Sequence, residues 1–377
     1  MAKKILVCGT HSGSINAIKP VIEELVGRGH EVNAYATGNE SQAKNFGAIP
    51  YMHGNLTQEN CDSILKNSKY DLVLVGPSGV NTPEYFFLKT ASRKKIPSVG
   101  VMDLDIGYGE RFGENPEYFP TILSIMNENC RSTIRSELES REVADELIKR
   151  TRVTGWTIFD HLASLKENFS EKDRETLLTK LDLNPEKNYP VHFTQVIHPN
   201  TIYMKPVPRA YEQKQKSFDY EFETTERIFE IASDLGLELV VKPHPGEEFE
   251  TNFTLDLVKK HGFIYIPAKA CDTKQLILSA SSISGGRTTC IVESCLLDKN
   301  TGGLFPELSP KDVAEFPSVS TKAIPYTFEW RGVNEILKDI NSKNTETNDY
   351  LSEQRKRFSV DGKASKRLVD IIEKEIF

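Results

Sequence analysis

KILVCGTHSGSINAIKPVIEELVGRGHEVNAYA, residues 4–36, is the stretch whose reading decides the fold. It opens on Ile5-Leu6-Val7-Cys8, an apolar run of the kind that forms a buried strand. A loop rich in glycine and hydroxyls follows, Gly9-Thr10-His11-Ser12-Gly13-Ser14. Ile18, Val21, Ile22 and Leu25 then recur at helical spacing, and Gly29 closes the helix. Residues 31–36 read as the next strand. A strand, a helix and a strand joined this tightly make a βαβ unit, which holds its two strands parallel.

The rhythm continues outward. Residues 49–52, 71–75, 96–102 and 121–126 read as further strands, and Gly76-Pro77-Ser78-Gly79 as an exit loop. Residues 127–149 are charged and helix-forming, and Val153-Thr154-Gly155 closes the half. A second α/β half begins at Tyr189, with strands expected at 191–196, 238–241, 263–266, 281–283 and 302–305. Residues 198–217 read as a long polar loop before a helix over 224–235. The expected fold is therefore α/β: two Rossmann-like, doubly wound domains facing a cleft, with the C-terminal helix returning to the first. The expected divisions are a first domain over 1–155, a helical bridge over 156–188, a second domain over 189–345, and terminal helices over 346–377.

Composition narrows the function. The chain has 377 residues and a net charge of −7, which argues against a nucleic-acid partner, since that needs a basic face. No run of 18 apolar residues exists, and Met1-Ala-Lys-Lys ahead of a short apolar run does not resemble a signal peptide. The expectation is a cytoplasmic protein, with peripheral attachment at the inner membrane face left open. Six scattered cysteines lack any Cys-x-x-Cys pair or zinc spacing, so reduced thiols and no metal are expected.

Strand-end loops carry the chemistry in open parallel sheets. In Ser284-Gly285-Gly286-Arg287-Thr288-Thr289, the glycines let a ligand approach the backbone and a helix start supplies free amides. Arg287 adds a charge-assisted donor, and Glu293, a turn further on, suits ribose hydroxyls. The plain alternative is a turn whose hydroxyls only cap a helix. Lys242-Pro243-His244-Pro245 follows a strand directly, so Lys242 or His244 could face a phosphate or leaving group. In the first loop, Gly9, Thr10, Ser12, Gly13 and Ser14 fit neither a dinucleotide fingerprint nor a P-loop. His11 there could act as a base, or Ser12 or Ser14 could simply cap a helix. Asp103 could orient or take a proton, or pair with Arg111. His198 is a further candidate.

These motifs resemble a known family group. Gly13-Ser-Ile-Asn-Ala-Ile-Lys-Pro20 through Arg28-Gly-His-Glu-Val32 resembles the opening of GT-B nucleotide-sugar glycosyltransferases, and Val153-Thr-Gly155 to Asp160 their interdomain crossing. Lys242-Pro-His-Pro245 is similar to a motif of CDP-glycerol glycerophosphotransferase-like and capsule-polymer enzymes. Residues 284–293 resemble the nucleotide-binding loop of the whole superfamily, UDP-N-acetylglucosamine 2-epimerases included. Asp361-Gly-Lys-Ala-Ser-Lys-Arg367 resembles the last helix of such enzymes.

The resemblance implies a nucleotide held by the C-terminal domain, an acceptor held by the N-terminal one, and no required cofactor or metal. Ser284, Gly285, Gly286, Thr288 and Thr289 would hold phosphate, and Glu293 the ribose. Two departures stand out. Ser14 occupies the place where many inverting members carry a histidine base. The epimerase opening Gly-Thr-Arg-Pro-Glu is here Gly9-Thr10-His11-Ser12-Gly13, and only His198, Glu293 and Asp103 match the epimerases' acids and histidine.

The leading expectation is transfer of a sugar or alditol phosphate from a nucleotide-activated donor to an acceptor hydroxyl, the acceptor lipid-linked or polymeric. An epimerase or hydrolase, and a non-catalytic nucleotide-sugar-binding subunit, are the alternatives. The oligomeric state stays open, a homodimer among the options.

Overall fold

The computed structural model describes residues 1–36, 46, 49–54, 56–195, 210–244, 253–308, 324–342 and 361–377. The chain divides into two compact units, Met1–Ser164 with Val360–Phe377, and Leu165–Ser359.

The first unit holds a seven-stranded parallel sheet: β1 (Lys4–Gly9), β2 (Glu31–Ala36), β3 (Tyr51–His53), β4 (Leu72–Val75), β5 (Ser98–Val101), β6 (Ile122–Ile125) and β7 (Thr151–Val153). Their order is β3-β2-β1-β4-β5-β6-β7. Its helices are α1 (Ser12–Gly27), α2 (Gln58–Asn67), α3 (Pro83–Lys94), α4 (Tyr108–Phe112), α5 (Cys130–Glu137) and α6 (Arg141–Lys149), with α7 (Asp160–Asn168) running out of it. The helix expected over 127–149 is thus two helices. They part at Leu138-Glu139-Ser140, where the Ser140 side chain accepts from Val143 N and starts the second. Strand β7 was not expected, because three residues with Arg152 at their centre carry no apolar period.

The second unit holds six parallel strands: β8 (Pro190–Phe193), β9 (Val240–Lys242), β10 (Ile264–Tyr265), β11 (Ser282–Gly285), β12 (Thr301–Leu304) and β13 (Tyr326–Thr327). They run β10-β9-β8-β11-β12-β13. The helices are α8 (Glu171–Lys180), α9 (Ala210–Asp234), α10 (Phe253–His261), α11 (Thr273–Ser279), α12 (Thr289–Leu296) and α13 (Trp330–Asn341). The long loop expected over 198–217 is shorter, since α9 begins at Ala210. Nothing breaks a helix after Pro208, and the Gln-, Lys- and Glu-rich run that follows favours helix without an apolar period to betray it.

The C-terminal helix α14 (Ala364–Glu375) returns to the first unit, as expected. Its Leu368, Val369 and Ile372 are fully buried in the cluster formed by Ile15, Ile18, Val21, Ile22 and the β1, β4 and β5 side chains. Asp160 fixes its start: Ala364 N and Ser365 N donate to the carboxylate at 3.0 and 2.7 Å, and Ser365 Oγ donates at 2.6 Å. Arg28 pairs with Glu373 and Asp370 further along, both at 2.7 Å. All six cysteines are free thiols. No helix among the described residues is long and apolar enough to cross a membrane.

Candidate functional site

Each sheet reverses its winding direction once. In the first unit the chain winds outward from β1 on one side and from β4 on the other; in the second unit the same occurs at β8 and β11. At such a point the two loops leave in opposite directions and open a crevice beyond the strand ends. The loop after β11 and the loop after β1, both singled out in the sequence, lie at these two points.

In the second unit, Phe193 of β8 sits in register with Gly285 of β11. A Cβ on Gly285 would stand 2.9 Å from Phe193 O and 3.3 Å from both Ile291 Cδ1 and Thr288 Cγ2. A side chain there would push backbone apart, so glycine is required. Gly286 has ordinary room, its nearest neighbour on the same construction being Leu304 O at 3.5 Å. Thr288 caps α12, its hydroxyl accepting from Cys290 N, and Thr289 is the first helical residue. Arg287 Nη2 donates to Glu221 Oε1 of α9 at 2.9 Å. Burial raises the Glu221 carboxyl above its usual range, and the Arg287 charge partly offsets this. Glu293 lies one turn into α12, 3.7 Å from the Lys274 ammonium. Burial raises its pKa as well, against the pull of Lys274. A small recess, open to solvent, is lined by Gln195, Glu221, Thr224, Thr225, Gly286 and Arg287 together with Phe193 and Phe305.

Two residues expected at the phosphate point elsewhere. Ser284 is buried, and its hydroxyl meets Nδ1 of His192 at 2.9 Å across the β8–β11 pair. Lys242 is 2% exposed, and its ammonium donates to Ala268 O at 2.5 Å and to Pro267 O and Cys271 O at 3.4 Å. It props the loop after β10 from beneath. A lysine at a strand end reads as an anion ligand in sequence; here its long stem lets the charge turn inward to carbonyls. Lys242→Met takes the ammonium from Ala268 O and Cys271 O, while Pro267 O keeps its bond from Ala270 N at 3.0 Å, and is expected to cost about 1–3 kcal/mol in denaturant unfolding. His244 is exposed just past β9. His198 lies outside the described residues.

His192 was not singled out, although a histidine inside an apolar strand is a visible signal. Burial pushes its imidazole down to about 4 from an ordinary 6.5. The unfolded chain therefore binds the proton first. Stability is whole above pH 6.5 and falls as pH drops toward 4, by about 3 kcal/mol in all. Urea unfolding at pH 7 and pH 4.5 should show this loss, and His192→Asn should remove most of it.

In the first unit, Gly9 ends β1 and Ser14 is buried in the first turn of α1. Gly76, just past β4, packs on it, for a Cβ there would stand 2.7 Å from Ser14 Cβ. The helix cap is neither Ser12 nor Ser14 but His11, whose Nδ1 accepts from Ser14 N at 3.2 Å. Ser14 returns the bond, its Oγ accepting from Thr10 N and His11 N, both at 3.2 Å. Gly13 is where Asp103 arrives: a Cβ on residue 13 would land on Asp103 Oδ2. Asp103 is 6% exposed and paired with Arg111 at 2.5 Å, and Arg111 also donates to Pro77 O at 2.8 Å. Glu84 is fully buried beside this loop and accepts from Ser78 Oγ at 2.9 Å. Among the described residues no cluster of His, Cys, Asp and Glu has the geometry to hold a metal ion.

No protein-family model matches the sequence, and no curated protein matches it. Solved structures do. A UDP-GlcNAc 2-epimerase from Methanocaldococcus jannaschii superposes with a TM-score of 0.62 at 16% identity, over 98% of this chain and 99% of that one. MurG from Acinetobacter baumannii gives 0.62 at 11%, over 99% of each chain. The wall teichoic acid polymerase TagF gives 0.57 at 12%, over 99% of this chain and 88% of that one. At such identities the likeness shows the fold, which is GT-B.

Proposed function

We propose that this chain is a GT-B enzyme that transfers a sugar or alditol phosphate from a nucleotide-activated donor to an acceptor hydroxyl, in the assembly of a surface polysaccharide or glycoconjugate. The observation that carries the reading is the Gly285-Gly286 turn. It stands at the winding reversal of the second sheet, its backbone pressed on Phe193, and runs straight into the start of α12. The positive end of α12, whose Cys290 N is held by the Thr288 hydroxyl, and a nearby guanidinium suit a diphosphate. Glu293 on the same helix suits a ribose diol. The α12 amides and Arg287 would stabilise charge building on the departing nucleotide. A base from the first unit, Asp103 or His11, would take the proton of the acceptor hydroxyl.

The near-complete overlap with a UDP-GlcNAc 2-epimerase supports a second reading, epimerisation or hydrolysis of a nucleotide-sugar. Incubation with UDP-N-acetylglucosamine and with CDP-glycerol, followed by phosphorus NMR, separates the two. Transfer predicts nucleotide release only when an acceptor is supplied. Epimerisation or hydrolysis predicts a changed or cleaved sugar without one. Binding of either donor with no change to it in the absence of an acceptor is what transfer predicts, and would contradict the second reading.

A further inference from the structure

The sequence leaves two groups in the first unit able to take the acceptor proton, His11 and Asp103, and the geometry separates them. A backbone N–H can only donate. Ser14 N points at His11 Nδ1 from 3.2 Å, so Nδ1 must carry a lone pair. A neutral imidazole with a bare Nδ1 carries its proton on Nε2. The ring then has no site left at which to act as a base. Nε2 is already protonated, and a proton taken at Nδ1 would face the Ser14 N–H and undo the cap. The cap is held twice over, because Ser14 Oγ also donates to His11 O at 2.9 Å and accepts from two amides. Ile15 N donates to the same carbonyl at 3.0 Å. Asp103 approaches the same side of Gly13 as His11, since a Cβ there would land on Asp103 Oδ2 and stand 3.5 Å from His11 Nδ1. Its Oδ1 is taken by Arg111, while Oδ2 lies against the glycine Cα.

We propose that His11 is a locked hydrogen-bond donor, presenting Nε2–H to a substrate oxygen, and that the proton-accepting role in the first unit falls to Asp103. The pair then offers one donor and one acceptor, which is what an alcohol hydroxyl needs. The assignment of the substrate oxygen rests on the transfer reading above; the tautomer does not.

The test has two arms. In protein labelled with ¹⁵N-histidine, long-range ¹H–¹⁵N correlation reports the tautomer of each of the eight histidines, and the signals lost in His11→Asn identify this one. The Nε2–H pattern at neutral pH is expected. An Nδ1–H pattern, or an averaged mixture, overturns the proposal whether or not any donor is consumed. The second arm uses the same variant, since asparagine keeps a cap acceptor in the place of Nδ1 and lacks the Nε2 donor. With whichever of UDP-N-acetylglucosamine or CDP-glycerol is consumed, KM should rise five- to tenfold with kcat nearly kept. A hundredfold or greater fall in kcat at unchanged KM would make His11 the base and defeat the proposal. If wild-type protein consumes neither, as transfer without an acceptor predicts, the first arm alone decides the state of His11.

Discussion

Gly285→Val should abolish nucleotide binding, with an affinity loss of roughly a hundredfold or more. The new Cβ would stand 2.9 Å from Phe193 O, and that atom is backbone in the neighbouring strand. It cannot rotate aside as a side chain would. Either β11 or β8 must move, and the added methyls also meet Ile291 and Thr288, the residues that set the start of α12. Overpacking of this kind costs about 1–3 kcal/mol of stability, which a unit of this size survives. The loss of binding should exceed the loss of fold because the displaced elements are the proposed phosphate cradle itself. Gly286→Ala separates the two effects. Alanine has room there, so the fold should be kept, and any weakening of binding would report how closely the ligand approaches the backbone. Isothermal titration with the nucleotide that binds the wild type, beside circular dichroism of each variant, checks both.

The second large effect is on the return of the C-terminal helix. Asp160→Ala removes a buried carboxylate that accepts three hydrogen bonds from Ala364 and Ser365. Two of these come from the first amides of α14, which have no partner within the helix. Bonds to a charged acceptor are worth about 1.5–3 kcal/mol in the first instance and add less than linearly when they share a group. The expected cost is about 3 kcal/mol, or a fall of roughly 6–12 °C in the melting temperature of a unit this long. Ser365→Ala removes only the hydroxyl bond and should cost about 1 kcal/mol. If Asp160→Ala melted like the wild type, α14 would be held by its apolar face alone.

Much of this architecture could be read from the residues, and the failures have physical causes. The β1–α1–β2 unit announced itself because an unbroken apolar run gives way, across a glycine-rich loop, to apolar residues at helical spacing. Short edge strands such as β13, with two residues, present no period at all. The loops at both winding reversals were found because glycine and hydroxyls cluster where a chain turns tightly beyond a strand. What each side chain does there was much less legible. Lys242 and Ser284 are polar residues at strand ends, and that pattern is shared by ligand-binding groups and by groups buried on their neighbours' carbonyls and rings. His192 and Glu221 meet those loops from elements far away in sequence, a pairing that only the folded sheet creates. The cap of α1 escaped because histidine is not among the usual capping residues, while two serines close by are.

The central claim is that the second unit holds a nucleotide at the start of α12. The most direct measurement is the shift in melting temperature of the purified protein with UDP, CDP, GDP, dTDP, CMP and UDP-N-acetylglucosamine, repeated on Glu293→Ala. A ligand at a hundred times its dissociation constant adds about 2.7 kcal/mol to the folded state, and the effect needs no known acceptor. The account predicts a clear rise with at least one of these compounds, lost or much reduced in the variant. A wild type that responds to none of them, or a variant that responds as fully as the wild type, would contradict it.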